Sequence, residues 1–123
     1  MSNTKNRWVI LKHTNAPDDT KGLHFDLLLE DLNFCRTWRL DSIPILNGER
    51  VKALSINPHR LSWLHCIDTE VSGGRGRAQR IYSGVFKGSL PLGVKSSIKL
   101  MIFTNKFLGN LEIKDGFCRL FCD

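Results

Sequence analysis

The sequence predicts an all-β fold: a small closed or nearly closed antiparallel β-barrel, or a sandwich, with one or two short helices. Two observations predict this class. Seven or eight short apolar runs are separated by turn signals, and hardly any segment shows the 3.6-residue period of a helix. Short strands in this arrangement close into barrels or pack as sandwiches. With 123 residues, the chain is expected to form one domain, 1–123, around a single core.

The predicted strands follow one another along almost the whole chain. They cover residues 7–13, 23–30, 34–40, 50–56, 80–88, 96–103, 107–113 and 117–121. The segment 57–65 begins with Asn-Pro and favours a short helix, since proline is tolerated in the first helical turn. Asp115-Gly116, between the last two strands, is the two-residue loop preferred in tight hairpins.

Composition and charge indicate a basic protein without a membrane segment. Its longest apolar runs fall well short of the ~18 residues of a membrane span, and its N-terminus lacks the apolar core of a signal peptide. We therefore expect a cytoplasmic location. The net charge of +6 favours a partner that carries phosphate, with a surface that only maintains solubility as the alternative. The cations concentrate in two groups: Lys5, Arg7 and Lys12, then Arg75, Arg77 and Arg80.

The cysteines are expected to be reduced thiols. The four residues are scattered and form no CxxC pair: Cys35, Cys66, Cys118 and Cys122. A structural zinc site built from all four is the weaker interpretation, because the usual close ligand pairs are missing.

The second predicted strand, 23–30, carries polar residues in an unusual pattern. Side chains alternate across a strand, which places Phe25, Leu27 and Leu29 on one packed face. The opposite face carries His24, Asp26, Leu28 and Glu30. His24 and Asp26 are about 7 Å apart by strand rise and can converge on one ion such as Mn²⁺, Zn²⁺ or Fe²⁺. The alternative is a pair of neutral, hydrogen-bonded groups inside a barrel.

A longer pattern surrounds this strand. WVILKH at 8–13 is followed by LHFDLLLE at 23–30, TWR at 37–39, PHRLSW at 58–63 and FLGNLEI at 107–113. The order resembles the family pattern F-V-V-x-x-H, L-H-[YFW]-D-[LF]-R-L-E, S-W-A, D-H-P-x-x-[YF] and a closing G-x-x-L-x-G. That pattern belongs to the 3′-phosphoesterase domain of bacterial DNA ligase D and its stand-alone relatives.

The resemblance implies a function and a site. Such domains are small β-barrels that trim or dephosphorylate DNA and RNA 3′ ends with Mn²⁺, or another divalent metal such as Zn²⁺. Carried over, the metal ligands are His13, His24 and Asp26. His59 is then the catalytic residue beside the reacting phosphate, with Trp63 as a substrate contact. The partners expected from the resemblance are DNA or RNA 3′ ends and separate ligase or polymerase chains, and no membrane is expected as a partner.

The remaining residues of the predicted site are a carboxylate and two arginines. Glu30 is expected to orient a metal-binding histidine from behind, as carboxylates often do. Arg75 and Arg77, in the segment GGRGRAQR, are expected to border the phosphate-binding surface. A flexible basic loop without a ligand is the alternative for this segment.

The chain also departs from the family pattern. Leu28 replaces the phosphate-binding arginine of the central strand, which would weaken catalysis. Trp63 lacks the usual phenolic hydroxyl, and the loop after His13 is longer, with Pro17, Asp18 and Asp19 inserted. We expect position 28 to point into the polar pocket, with loop arginines such as Arg60 as substitutes for the lost charge.

Three functions compete at this point. The first is a metal-dependent phosphoesterase, weakened by the change at Leu28. The second is a module of the same fold that binds nucleic-acid ends or phosphates without cleaving them. The third is a barrel that binds a small molecule unconnected with nucleic acid. The combination of His13, His24 and Asp26 favours the first, because binding backbone phosphate alone does not require these three residues together.

Overall fold

A computed structural model describes residues 6–17, 19–93 and 95–123. Lys5 and Asp18 therefore lie outside the described residues. Nine strands and one 3₁₀ helix occur in the described part of the chain. They are β1 (Asn6–Thr14), β2 (Leu23–Asp31), β3 (Phe34–Leu40), β4 (Val51–His59), the 3₁₀ helix (Leu61–His65), β5 (Asp68–Glu70), β6 (Arg77–Lys87), β7 (Ile98–Phe103), β8 (Leu108–Lys114) and β9 (Phe117–Phe121).

The strands form one sheet that returns to its starting strand. Its order is β1-β2-β3-β4-β9-β8-β7-β6-β5, and β1 also pairs with β6, which closes a ring of eight strands. All strand pairs in the ring are antiparallel. The all-β prediction is confirmed. No helix in the described residues has the length and apolar character needed to cross a membrane.

Strand positions agree with the sequence patterns, with two exceptions. Residues 57–59 continue β4 and do not begin a helix, so the helical segment is reduced to the five residues Leu61–His65. The short strand β5 was not predicted, because its residues Asp-Thr-Glu are all exposed and give no apolar signal. The hairpin at 115–116 is confirmed: Asp115 has φ 54° and Gly116 has φ 81°, as a two-residue turn of this class requires.

Two apolar clusters stabilise the ring. The larger one lies inside it and contains the inward residues of β1 and β2. The smaller cluster lies on the other face of these strands: Val9, Leu11, Leu28, Cys35 and Leu64. Leu64 belongs to the 3₁₀ helix, which covers this outer face. Strands β1 and β2 are therefore apolar on both faces over part of their length.

This cover changes the interpretation of Leu28. Leu28 shares a face with Asp26, as expected from the alternation of the strand, but it is fully buried in the smaller cluster. The expectation that position 28 points into a polar pocket is therefore wrong. An arginine at this position would be buried beneath the 3₁₀ helix, and the strand offers no phosphate contact here.

The cysteines behave as expected. All four are free thiols. Burial raises the pKa of Cys35 to about 11 and that of Cys118 to about 12, which keeps both in the unreactive thiol form at neutral pH. No group of three or more metal-ligating side chains in the described residues includes a cysteine.

Replacing Leu28 with arginine should destabilise the fold. The guanidinium would enter an apolar cluster without a partner, at a cost greater than that of a cavity. Leu28→Ala is the matched control and should lower the free energy of unfolding by about 2–5 kcal/mol. We expect Leu28→Arg to lose more, as measured by urea unfolding followed by circular dichroism. A Leu28→Arg protein as stable as the wild type would contradict the burial of this position.

Candidate metal centre and cleft

Strand register brings the three predicted metal ligands together. His13 of β1 lies opposite His24 of β2, and Asp26 follows two residues later on the same face. One ligand atom from each residue lies within 4.8 Å of the others. Asp26 Oδ2 is 3.7 Å from His13 Nδ1, and Asp26 Oδ1 is 3.4 Å from His24 Nε2. The two imidazole rings meet edge to face at 4.8 Å.

Each histidine forms a hydrogen bond through the ring nitrogen that does not face Asp26. His13 Nε2 lies 2.8 Å from the carbonyl oxygen of Arg75, to which Nε2–H donates, so that Nδ1 faces Asp26. His24 Nδ1 lies 2.9 Å from Asp19 Oδ2 and donates to it, so that Nε2 faces Asp26. Metal-binding histidines usually donate their second N–H to a carbonyl or carboxylate in this way. The arrangement therefore presents two imidazole nitrogens and one carboxylate to a common point.

Two buried atoms at this point test whether a metal fits. Among the described residues, His24 Nε2 and Asp26 Oδ1 are buried and have no hydrogen-bond partner. Buried polar atoms of this kind are costly unless another group satisfies them. A cation between them would satisfy both, and two imidazoles with one carboxylate form a donor set that suits Mn²⁺ or Zn²⁺. The residues therefore fit a divalent cation.

The electrostatics keep the carboxylate ionised. Burial acts to raise the pKa of Asp26, but the close approach of His13 and His24 outweighs it and lowers the pKa to about 2. The interaction with Asp26 raises the pKa of His13. For His24, burial acts to lower the pKa, yet interactions with Asp26 and Asp19 leave it raised. A buried negative charge thus attracts positive charge, which protons or a metal ion can supply.

Glu30 does not have the predicted role. Its carboxylate accepts hydrogen bonds from the backbone nitrogen, Nε and Nη2 of Arg7, at 2.8, 3.0 and 2.9 Å. It lies four residues beyond Asp26, about 13 Å along the strand, with buried Leu28 between them. The carboxylate that orients a histidine is Asp19, which sequence reasoning missed as a site residue. Its only signal was its place in the inserted loop.

A cleft of about 1030 Å³ opens beside the three ligands. His13 and Asp26 lie in its wall, together with His59 at the end of β4 and Trp63 of the 3₁₀ helix. The His59 and Trp63 rings lie 6.3 Å apart, edge to face. The charge of His59 contributes to the lowered pKa of Asp26. The structure thus groups the predicted phosphate-site residues with the predicted metal ligands.

Arginines supply positive charge to the cleft. Arg39, Arg60 and Arg75 line it. Arg39 was missed from the sequence, although it lies directly opposite Asp26 in the pairing of β2 with β3. Arg75 is held by Ser72, whose carbonyl and hydroxyl oxygens accept hydrogen bonds of 2.7 and 3.0 Å.

Arg77 lies elsewhere, contrary to expectation. It is outside the cleft lining and forms two hydrogen bonds with the Asp68 carboxylate, of 2.7 and 3.0 Å. The pairing of β5 with β6 brings these residues together, and β5 was not visible in the sequence. Of the two arginines predicted to bind substrate, the structure brings only Arg75 to the cleft.

No protein-family model matches this chain, and no curated protein matches it. The resemblance to the 3′-phosphoesterase domain therefore stays a prediction from motifs. The functional assignment depends on the geometry of the metal centre and its cleft.

Proposed function

We propose that this protein is a divalent-metal-dependent phosphoesterase that acts on nucleic-acid 3′ ends and removes a 3′-phosphate or a 3′-ribonucleotide. The observation that carries the proposal is the convergence of His13, His24 and Asp26, with each histidine oriented by a second hydrogen bond, beside a basic cleft whose wall includes His13 and Asp26. The motif resemblance supplies the substrate class. In this proposal the protein works in the cytoplasm, in nucleic-acid repair beside separate ligase or polymerase chains.

The metal would be held by His13, His24 and Asp26. The chemistry that a divalent cation such as Mn²⁺ would supply there is activation of water and neutralisation of charge on phosphate oxygens. Asp19 and the carbonyl of Arg75 keep the two imidazoles in the tautomers that present a lone pair to it.

The cleft residues bind and orient the substrate. Guanidinium groups form paired hydrogen bonds with phosphate oxygens, and Arg39, Arg60 and Arg75 offer three such groups. A cleft lined by cations also raises the local concentration of an anionic substrate. The ring of Trp63 provides an apolar surface on which a terminal base can stack.

His59 is the proposed general acid. Its Nδ1 lies 3.3 Å from the carbonyl oxygen of Asn57, so the protonated ring donates Nδ1–H to that oxygen. Nε2–H is then the proton that can pass to the leaving oxygen of the phosphoester. A positioned imidazole of this kind contributes roughly 10²–10⁴-fold to rate.

A module that binds ends without cleaving them is the second candidate. It is favoured by one observation: Leu28 occupies the place of the family's strand arginine and is buried away from the cleft. Turnover separates the two candidates, because both are expected to bind metal and nucleic-acid ends.

Mn²⁺ should raise the melting temperature of the protein, and Asp26→Asn should abolish that rise. Binding to the folded state alone stabilises it by about 2.7 kcal/mol at a metal concentration 100 times the dissociation constant. Asp68→Asn removes an exposed carboxylate outside the cleft and is the control that should keep the response. An equal Mn²⁺ response in wild type and Asp26→Asn would rule out this site.

The same Mn²⁺ response should depend on pH. The metal requires unprotonated imidazoles, and the pKa values of His13 and His24 are raised. The stabilisation by Mn²⁺ should therefore be full above these raised values and decline as pH falls through them. Melting curves with and without Mn²⁺ across pH 5–8, roughly the range in which imidazoles titrate, measure this. A response that is constant across this range would argue against histidine ligands.

Hydrolysis of an oligonucleotide with a 3′-phosphate should require Mn²⁺ and the cleft residues. We expect His59→Gln and Arg39→Gln each to lower kcat/KM by ~10² or more, through loss of the proton donor and of a phosphate contact. Arg77→Gln is the matched control and should be near wild type, since Arg77 lies outside the cleft lining. Phosphate release on 3′-phosphate and 3′-ribonucleotide ends is the measurement. If the wild type binds these ends but releases nothing, the binding-module function replaces the enzyme.

A further inference from the structure

The outward side of strands β7, β8 and β9 carries aromatic and basic residues. Residues on β9 alternate between the buried core, with Cys118 and Leu120, and half-exposed outward positions, with Phe117 and Phe121. Phe103 is half-exposed at the end of β7. Three phenylalanine rings therefore reach the surface on β7 and β9, the strands on either side of β8, at positions where the outward side of a sheet usually carries polar residues.

Each of these rings is contacted by a cation. The charged groups lie between 4.2 and 5.7 Å from the ring centroids: Arg50 over Phe117 at 4.9 Å, Lys87 over Phe103 at 5.7 Å, and Lys99 and Arg119 over Phe121 at 5.6 and 4.2 Å. All four lie within the ~6 Å at which a cation is attracted to the face of an aromatic ring.

The charge of this region is positive. Its cations are exposed or half-exposed: Arg50, Lys52, Lys87, Lys99, Lys114 and Arg119. The carboxylates among and beside them are Asp41, which lines a small cleft with Lys52 and Phe117, and Glu49, Glu112, Asp115 and Asp123. We call the three phenylalanines and these six cations the aromatic–basic face. Its combination of ring surfaces and excess positive charge differs from an apolar protein-binding patch, which is depleted of lysine.

The aromatic–basic face is continuous with the proposed active site. A smaller cleft of about 410 Å³ is lined by Lys52 and Phe117 at one end and by Arg39 at the other. Arg39 also lines the larger cleft beside Asp26. An extended anionic chain can therefore pass from the metal centre, over Arg39 and Lys52, to Phe117 and the outer side of β9.

We propose that the aromatic–basic face binds single-stranded nucleic acid, with bases stacked on its rings and phosphates on its cations. Proteins that bind single strands without sequence preference combine these two elements. Arg119 can bind a phosphate and can also offer its guanidinium plane for base stacking, because its ion pair with Glu112, at 2.9 Å, fixes that plane over Phe121. Bases stack on guanidinium planes as well as on aromatic rings. This binding surface is separate from the proposed hydrolysis and does not depend on it.

Binding of a labelled oligothymidylate tests the proposal. A strand of about 12 nucleotides falls within the ~4–16-nucleotide sites of single-strand-binding domains. Anisotropy is measured with EDTA present, so that the result is independent of metal and turnover. We expect Phe117→Leu and Phe121→Leu each to weaken binding by about fivefold or more, because leucine keeps the apolar contact but removes the stacking surface.

The cations are tested through salt dependence. Replacing both Lys52 and Lys99 with glutamine should reduce the slope of log affinity against log salt by about 1.4, at about 0.7 for each lost phosphate contact. Two variants elsewhere are matched controls: Phe34→Leu, at an aromatic residue 41% exposed, and Arg77→Gln, at an arginine that lines neither cleft. Both should bind like the wild type.

Three results would overturn the proposal. The first is that Phe117→Leu and Phe121→Leu bind no differently from Phe34→Leu. The second is that the lysine variant keeps the salt slope of the wild type. The third is that sedimentation shows a dimer that Phe121→Leu dissociates, since the face would then be a contact between two copies of the chain. Circular dichroism of each variant excludes loss of fold as the cause of weaker binding.

Discussion

The pairing of β1 with both β2 and β6 is the constraint on which the rest of the structure depends. It closes the ring, and it also sets the register that places His13 opposite both His24 and Ala78. The loop before β6 thereby reaches His13, whose ring donates to the carbonyl of Arg75. Gly76 makes this approach feasible: its φ is 93°, and a Cβ there would lie 2.0 Å from the carbonyl oxygen of Thr14.

The outer face of β1 and β2 combines two environments that oppose each other energetically. Where the 3₁₀ helix covers it, the face is apolar and stabilises the fold through Val9, Leu11 and Leu28. Two residues further along, it buries Asp26 at 5% exposure beside two histidines. Burying an ionised carboxylate costs free energy unless opposite charge is close by, and His13 and His24 supply that charge when protonated, while Asp26 Oδ1 still lacks a hydrogen-bond partner. The apolar part stabilises a scaffold that can tolerate a site of this kind.

Features that depend only on the residue pattern within one segment could be predicted from the sequence. Alternation in β2 separated Leu27 from Asp26, and the motif around it indicated that His13 joins the same site; the register places His13 opposite His24. Four features could not be read in this way, because each depends on a loop conformation or on contact with another segment. Leu28 is buried by the 3₁₀ helix, and Arg39 reaches the cleft through the register of β3. The loop before β2 brings Asp19 to His24, and Arg77 pairs with Asp68 of β5.

Several arginines outside the larger cleft are neutralised by a carboxylate of the protein. Such pairs include Arg7 with Glu30, Arg36 with Asp31, Arg77 with Asp68 and Glu70, and Arg119 with Glu112. In the described part of the chain, Arg60 and Arg75 form no ion pair, although both line that cleft. Cations gathered in a concave surface repel one another and cost stability unless a ligand brings the missing negative charge. Phosphate supplies that charge with the geometry that guanidinium groups bind best, next to the residues that suit a divalent metal.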